Sequence, residues 1–328
     1  MKRLLAGRPV IPIGLGCMNL SHGYGVPPSP AEGARLLHCA LDLGYVHLDT
    51  ARLYGGGRNE TLIGETLKGR RAEFFLASKC GIVADGDKRR TDCRPETILA
   101  QLETSLTVLQ TDHIDLYYMH RRDFTVPIED SVGALADAVA AGKIGGIGLS
   151  EMSAETLRRA HAVHPIAAMQ MEYSPWSRNV EIAVLAATRE LGVALVAFSP
   201  VGRGALCGTL RDPAVLPDDD MRRAMPRFDA DHWPANLALI DRFVAIAGRE
   251  GVAAAQLSLG WVLSRGDHVH AIPGTTVEAH MAENIARGDW RPSAALVAEV
   301  DGLINQQTVA GPRYPGFMQR TIDTEEFA

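Results

Sequence analysis

Lysine is scarce in this chain. Among 328 residues only five are lysine (Lys2, Lys68, Lys79, Lys88 and Lys143), and arginine supplies nearly all the positive charge. No run reaches the roughly 18 uninterrupted apolar residues of a membrane-spanning helix. The opening MKRLLAGRPVIPIGLG lacks a sustained apolar core followed by a cleavage site. Neither a membrane span nor a leader is therefore expected. The five cysteines, Cys17, Cys39, Cys80, Cys93 and Cys207, are odd in number and scattered without CxxC spacing. That argues against a disulfide framework or a metal site, and points to a reducing, cytoplasmic setting. The formal net charge of -6 is spread without long runs of one sign, so no nucleic-acid groove is expected. What remains is a protein whose partners are small soluble molecules. No helical segment shows an unmistakable exposed apolar stripe, so a monomer or a small homo-oligomer is expected.

What is present is an alternation. The segments VIPIGLG (10–16), VHLDT (46–50), EFFLASK (73–79), IDLYYMH (114–120), IGGIGLS (144–150), AAMQMEY (167–173), VALVAFS (193–199) and HVHAIPG (268–274) have strand character. Between them lie stretches with apolar residues at helical spacing, several closed by glycine. Such a sequence predicts βαβ units and a parallel sheet. Eight strands over about 270 residues match the α/β class and the (β/α)8 TIM barrel within it. An open doubly wound sheet would need a phosphate-binding glycine motif running straight into a helix. Here GLGCMNLSHGYG leads instead to Pro27, Pro28 and Pro30. The chain is expected to form one domain over residues 1–328. A long irregular loop at about 201–235 is expected over the site, and a C-terminal tail at about 305–328.

In a barrel the C-terminal ends of the strands converge on one mouth. The second strand delivers Asp49, with Tyr54 just beyond it; the third ends in Lys79 and the fourth in His120. Singly, such residues are often helix caps or satisfied core groups. Together on successive strand ends they form a constellation. A buried ammonium needs a partner charge, which Asp49 supplies. A tyrosine with an ordinary pKa of ~10 is a poor proton donor near neutrality, and a neighbouring cation is expected to lower that value. His120 is then in place to hydrogen-bond the same small oxygen. The pattern predicts a phenol tuned for acid/base chemistry on a carbonyl or hydroxyl.

The motifs LDTARLYGGGRNETLIGETLKG, FLASKCG, IDLYYMHRRD, GKIGGIGLSE, MQMEYSPWSR, VAFSPVGRGAL and IPGTTVEAHMAENIA resemble, in order and spacing, those of the aldo-keto reductase superfamily, most closely its bacterial pyridoxal-reductase-like branch. The resemblance covers nearly the whole chain. It implies a TIM barrel that binds a nicotinamide cofactor without a Rossmann domain. Tyr54 is implied as the general acid/base, Lys79 and Asp49 as its tuning pair, and His120 as the group that orients the substrate. Ser150 and Gln170 would hold the nicotinamide carboxamide and Phe198 would stack on its ring. Ser199, Val201 and Arg203 would clasp the pyrophosphate, largely through main-chain groups. Glu283 and Asn284 would take the adenosine end. Gly16, Met18 and Asp49 would complete the cofactor cleft.

One departure concerns the adenosine phosphate. Relatives that prefer NADPH commonly carry Lys or Arg here, whereas this chain reads Gly274, Thr275, Thr276, Val277 and then His280. Neutral groups lack the strength of an arginine fork. NADPH is the expected cofactor because the superfamily leans that way, and NADH is the alternative. The implied reaction is reversible hydride transfer between nicotinamide and an aldehyde or ketone. The competing readings are an NAD-dependent alcohol or sugar dehydrogenase, a Schiff-base aldolase using Lys79, and a cofactor-binding regulatory subunit. Tyr24 and Trp176 are expected to line the substrate pocket beside Tyr54 and His120.

Overall fold

The computed structural model describes residues 2–85 and 88–327. Eight strands form a single parallel sheet in sequence order: β1 (Leu15–Gly16), β2 (His47–Asp49), β3 (Phe75–Cys80), β4 (Leu116–Met119), β5 (Ile147–Ser150), β6 (Ile166–Glu172), β7 (Ala194–Phe198) and β8 (Val269–Ala271). A parallel bridge from Ile13 to Ala271 joins the last strand to the first and closes the ring. Main-chain bonds from Gly14 N to Ala271 O (2.8 Å) and from Gly16 N to Pro273 O (3.1 Å) run along this seam. Each strand coincides with one of the eight read from the sequence, though several are shorter. Gly16 owes its identity to the seam: a Cβ there would stand 2.8 Å from the carbonyl of Ile272.

Helices follow the strands because the connecting segments carry their own start and stop signals. In α1 (Pro30–Asp42) the Ser29 side chain accepts from Glu32 N and proline opens the first turn. In α5 (Ala154–Val163) Ser153 accepts from Thr156 N. Their apolar faces, with the outward residues of the strands, make the larger core, which includes Leu48, Leu76, Tyr117, Leu149 and Leu195. Inward residues alternate with these at the strand period of two. Phe75, Ala77, Leu116, Tyr118, Ala168 and Val196 fill the barrel itself. Gly148 admits the Tyr118 ring, since a Cβ there would lie 2.2 Å from it.

Two antiparallel hairpins were not evident in the sequence. Arg3–Leu5 and Arg8–Val10 cover the base of the barrel and insert Leu5 and Val10 into its inner core. Burying each of those side chains is worth about 1.5–3 kcal/mol. Arg3, only 7% exposed, fixes this plug by donating to the carbonyls of Gly266 (2.8 Å), Leu263 (3.0 Å) and Val269. The second hairpin, Ile82–Asp85 with Lys88–Thr91, rises directly from β3 at the mouth. Between β7 and the helix Trp233–Arg249 the chain runs through short 3-10 helices at Gly202–Cys207, Pro213–Val215, Met221–Ala224 and Pro226–Phe228. This segment joins the loop after β1, with Met221 N donating to Gly23 O (3.0 Å) and Gly25 N to Asp220 Oδ2 (2.8 Å).

Candidate functional site

Strand alternation explains why polar groups gather at one end of the barrel. The inward set that reads Phe75, Ala77 on β3 continues to Lys79; on β6 it reads Ala168, Gln170, Glu172; on β2 it ends in Asp49 and on β5 in Ser150. The interior is therefore apolar below and ionisable at the mouth.

The centre of this layer is a buried ion pair. Lys79 and Asp49 are 0% and 2% exposed, and the ammonium donates to Asp49 Oδ1, to the carbonyl of Thr50 (2.7 Å) and to the Tyr54 hydroxyl (3.3 Å). Gln170 Nε2 donates to the other carboxylate oxygen at 2.7 Å, so Asp49 is held from two sides. Tyr54 sits at the start of a short helical turn, Tyr54–Gly57, in which Gly55 and Gly56 adopt positive φ (59° and 66°). Those two residues reverse the chain sharply enough to hold the phenol against β3. Its ring is flanked by His120, edge-on with centroids 5.8 Å apart, and by His22 at 5.3 Å. His22 is fixed by Gly55 N, which donates to its Nδ1 at 3.2 Å.

Electrostatics give these groups distinct protonation states. Burial would strip the proton from Lys79, but the charges of Asp49 and Tyr54 and their hydrogen bonds outweigh it and hold the ammonium above the ordinary lysine range. Burial pushes the Tyr54 phenol up, and the pull of Lys79 offsets this only in part. The expectation of a lowered tyrosine is corrected here: Asp49 cancels much of the lysine's field, and desolvation decides the direction. His120 is driven well below the usual histidine range, by burial first and then by the charges of Arg121, Lys79 and Arg89. At neutral pH the mouth thus offers a protonated phenol and a neutral imidazole.

The other expected residues are distributed as the barrel order dictates. Ser150 ends β5 and accepts from Arg121 Nη1 at 3.2 Å. Phe198 ends β7, paired in register with Glu172. Beyond it Ser199 (φ 49°), Gly202 (59°), Arg203 (57°) and Gly204 (87°) take left-handed backbone. This conformation makes a concave turn of the kind that receives anions through main-chain N–H groups. The Arg203 side chain is engaged elsewhere: it donates to Glu172 Oε2 at 2.6 Å and to the Tyr24 hydroxyl at 3.0 Å. What Arg203 presents to a phosphate is its backbone. Met18 lies half-buried in the short helix after β1. After β8, Thr275 Oγ1 accepts from Val277 N (3.1 Å) at the start of the helix Glu278–Ala286, with Thr276 half-buried and His280 exposed beside it. Asn284 is buried on that helix, and Glu283 is half-buried.

Trp176 departs from its expected place in the substrate pocket. It is 5% exposed, with its ring against Phe228 (5.8 Å) and Trp233 (6.4 Å). The three rings support the segment after β7, and Trp176 has no open face for a substrate.

The sequence reading missed a second buried cluster. Glu151 and Arg313 are 0% and 5% exposed and joined at 2.9 Å; Glu172 lies 3.9 Å from the same guanidinium and binds Arg203. Glu151, directly after Ser150, has φ 53°; its carboxylate accepts from Glu172 N (3.0 Å) and its carbonyl from Asp323 N (3.0 Å). The C-terminal segment is thereby fastened behind the strand ends that carry Ser150 and Gln170. A positive φ on a non-glycine residue is the kind of local cost that surrounding contacts must hold in place.

Comparisons with known proteins agree with this fold. The model of the Aldo/keto reductase family matches residues 12–305. The chain is 41% identical over 317 residues to the Aldo-keto reductase yakc [NADP(+)] of Schizosaccharomyces pombe, covering 94% of this chain and 93% of that protein. It is 40% identical over 324 residues to the Aldo-keto reductase str7 of Strobilurus tenacellus, covering 96% and 95%. Among solved structures, the glycerol dehydrogenase AKR11B4 from Gluconobacter oxydans superposes with a TM-score of 0.85 at 27% identity, covering 97% of this chain and 98% of that one.

Proposed function

The chain belongs to the aldo/keto reductase family, and from that premise we propose that Tyr54, Lys79, Asp49 and His120 carry the family's chemistry here. The protein is an NADPH-dependent oxidoreductase that interconverts carbonyl and alcohol groups. The observation that carries our assignment of roles is the protonated phenol 3.3 Å from a buried ammonium at the barrel mouth.

The cleft fits a nicotinamide dinucleotide: polar Ser150 and Gln170, the flat face of Phe198 and the concave Ser199–Gly204 turn lie in succession around the mouth. When bound, NADPH supplies the hydride. Tyr54 holds a proton at Oη and passes it to the substrate oxygen as negative charge builds there. Lys79 stabilises the phenolate left behind, and Asp49 keeps that ammonium in place. His120, held neutral, donates an N–H to the same oxygen and fixes the carbonyl's direction. In reverse, the Tyr54 phenolate accepts the alcohol proton.

The Lys79 ammonium held above its ordinary range weighs against the Schiff-base aldolase, whose nucleophile is a free amine. A second reading, NADH as cofactor, draws support from the neutral Thr275, Thr276 and Val277 where a fixed cation would grip the adenosine phosphate. The five free cysteines favour a cytoplasmic home. Among the described residues no helix is long and apolar enough to cross a membrane. The motifs favour the pyridoxal-reductase-like branch; the sequence, with no unmistakable exposed apolar stripe on a helical segment, favours a monomer or small homo-oligomer. We take 201–235 as the cover of the cofactor cleft. Fluorescence titration with NADPH and with NADH, each followed by a panel of small carbonyl compounds, tests the reading. Saturable NADPH binding and substrate-dependent oxidation are expected; binding of neither nucleotide would overturn it.

A further inference from the structure

Three guanidinium groups on one sector of the mouth have no part in the acid/base group. Arg58 opens the helix Arg58–Leu67 after β2, Arg89 stands on the hairpin that rises from β3, and Arg121 follows His120 at the end of β4. Among the described residues no carboxylate pairs with any of the three. Their sequence neighbours are answered in full: Arg52 by Glu60 (2.9 Å), Arg90 and Arg94 by Asp92 (2.9 and 2.8 Å), Arg122 by Asp323 (3.0 Å). Arg121 is half-buried, and Nη1 donates to the carbonyl of His120 (2.6 Å) and to Ser150 Oγ (3.2 Å). These bonds set the guanidinium beside the residues proposed to meet substrate and nicotinamide.

The three charges act on one region. Those of Arg58 and Arg89 fall on His22, which burial and these neighbours depress to about 4, and those of Arg121 and Arg89 fall on His120. Arg121 meets Ser150 at the nicotinamide end of the proposed cleft, whereas the anion-receiving turn follows β7 and the adenosine residues follow β8. Arg121 is half-buried while Arg58 and Arg89 are exposed, so their mutual repulsion is partly screened, and an anion held by Arg121 relieves what remains.

We propose that Arg121, aided by Arg89 and Arg58, recognises an anionic group on the carbonyl substrate, a carboxylate or a phosphate monoester carried a few bonds from the reacting carbon. The proposal rests on the reductase reading and adds a substrate class to it. Charge-assisted bonds to a guanidinium fork make such a group worth about tenfold to a hundredfold in preference.

The test uses the full chain with NADPH and two matched pairs of aldehydes: para-carboxybenzaldehyde against para-tolualdehyde, and glyceraldehyde phosphate against glyceraldehyde. The charged member is expected to have the higher kcat/KM in at least one pair, and the pair that responds identifies the anion. Arg121→Gln should bring that ratio towards one, chiefly through KM for the charged member, and Arg89→Gln should lower it less. In the unaltered protein the ratio should fall on going from about 0.01 to 1 M salt as screening shortens to a few ångströms, so the idea does not hang on the folding of a variant. Equal kcat/KM within both pairs, or a ratio indifferent to salt and to Arg121→Gln, would overturn the anion site and leave the reductase reading standing. No turnover of any of the four overturns both.

Discussion

Two clusters of buried charge lie at the same end of this barrel and are built to opposite ends. Around Lys79 a single ion pair reaches the mouth through one phenol: Asp49 is held by Lys79 and Gln170, the ammonium donates to the Tyr54 hydroxyl, and the Tyr54 ring lies against His120. Around Glu151 and Glu172 the carboxylates are answered by Arg313 and Arg203, by the main chain of Glu172 and by the C-terminal segment. The first cluster keeps a proton donor against a cation; the second ties its carboxylates to fixed guanidinium groups. Burial alone therefore does not mark a working residue. A phenol that accepts from a buried ammonium at an open mouth is ready for chemistry, and carboxylates answered by guanidinium groups and main chain are a fastening.

Removing the phenol separates the two most strongly. Tyr54→Phe should lower kcat by about a hundredfold to ten-thousandfold, with unfolding free energy changed by no more than about 1 kcal/mol for the lost hydrogen bond. Stopped-flow turnover and urea unfolding measure both, and retained turnover would cancel the distinction. The mirror experiment is Arg313→Met, which strands Glu151. It should cost about 3–5 kcal/mol of stability while the folded fraction keeps kcat within a few fold. A collapse of kcat at unchanged stability would show that the second cluster is also part of the chemistry.

Acid sharpens the comparison further. The charges of Arg203, Arg313 and Arg227 outweigh burial and hold Glu172 down to about 2, against an ordinary 4.5. A depressed carboxylate contributes stability that is fully present above its unfolded value and is lost as pH falls through its folded one. Between about pH 4.5 and 2 the fold should therefore lose about 3 kcal/mol on this account. Glu172→Gln should flatten that part of the pH–stability curve, as read by urea unfolding at each pH. The smallest effect is expected at the join between the clusters. Ser150→Ala removes one hydroxyl and should weaken NADPH by about threefold to tenfold, one hydrogen bond's worth, in a fluorescence titration.

The sequence made the first cluster visible and hid the second for a physical reason. Asp49, Lys79 and His120 end their strands, and strand ends are legible from apolar runs. Arg313 lies in a tail with no periodicity, and its partner Glu151 is 162 residues away. Nothing local distinguishes it from an arginine in solvent. The two hairpins were hidden in a similar way. Strands of three or four residues such as Arg3–Leu5 and Lys88–Thr91 are too short to show an alternation, and each pairs only with its own hairpin partner. Trp176, an apolar residue on a loop after a strand, reads as a pocket residue, but its stacking partners arrive from Phe228 and Trp233, about fifty residues on.

Local patterning alone determined the eight strands, their order, the parallel barrel and the strand-end positions of Asp49, Lys79 and His120, because strand and helix periods are written in neighbouring residues. The tertiary structure alone decided the protonation of those ends. Desolvation depends on everything packed around a group, and it overrules the pairwise charge that raised the opposite expectation for Tyr54. It also decided which arginines are consumed and which stay open, since that depends on which carboxylates the fold brings within reach.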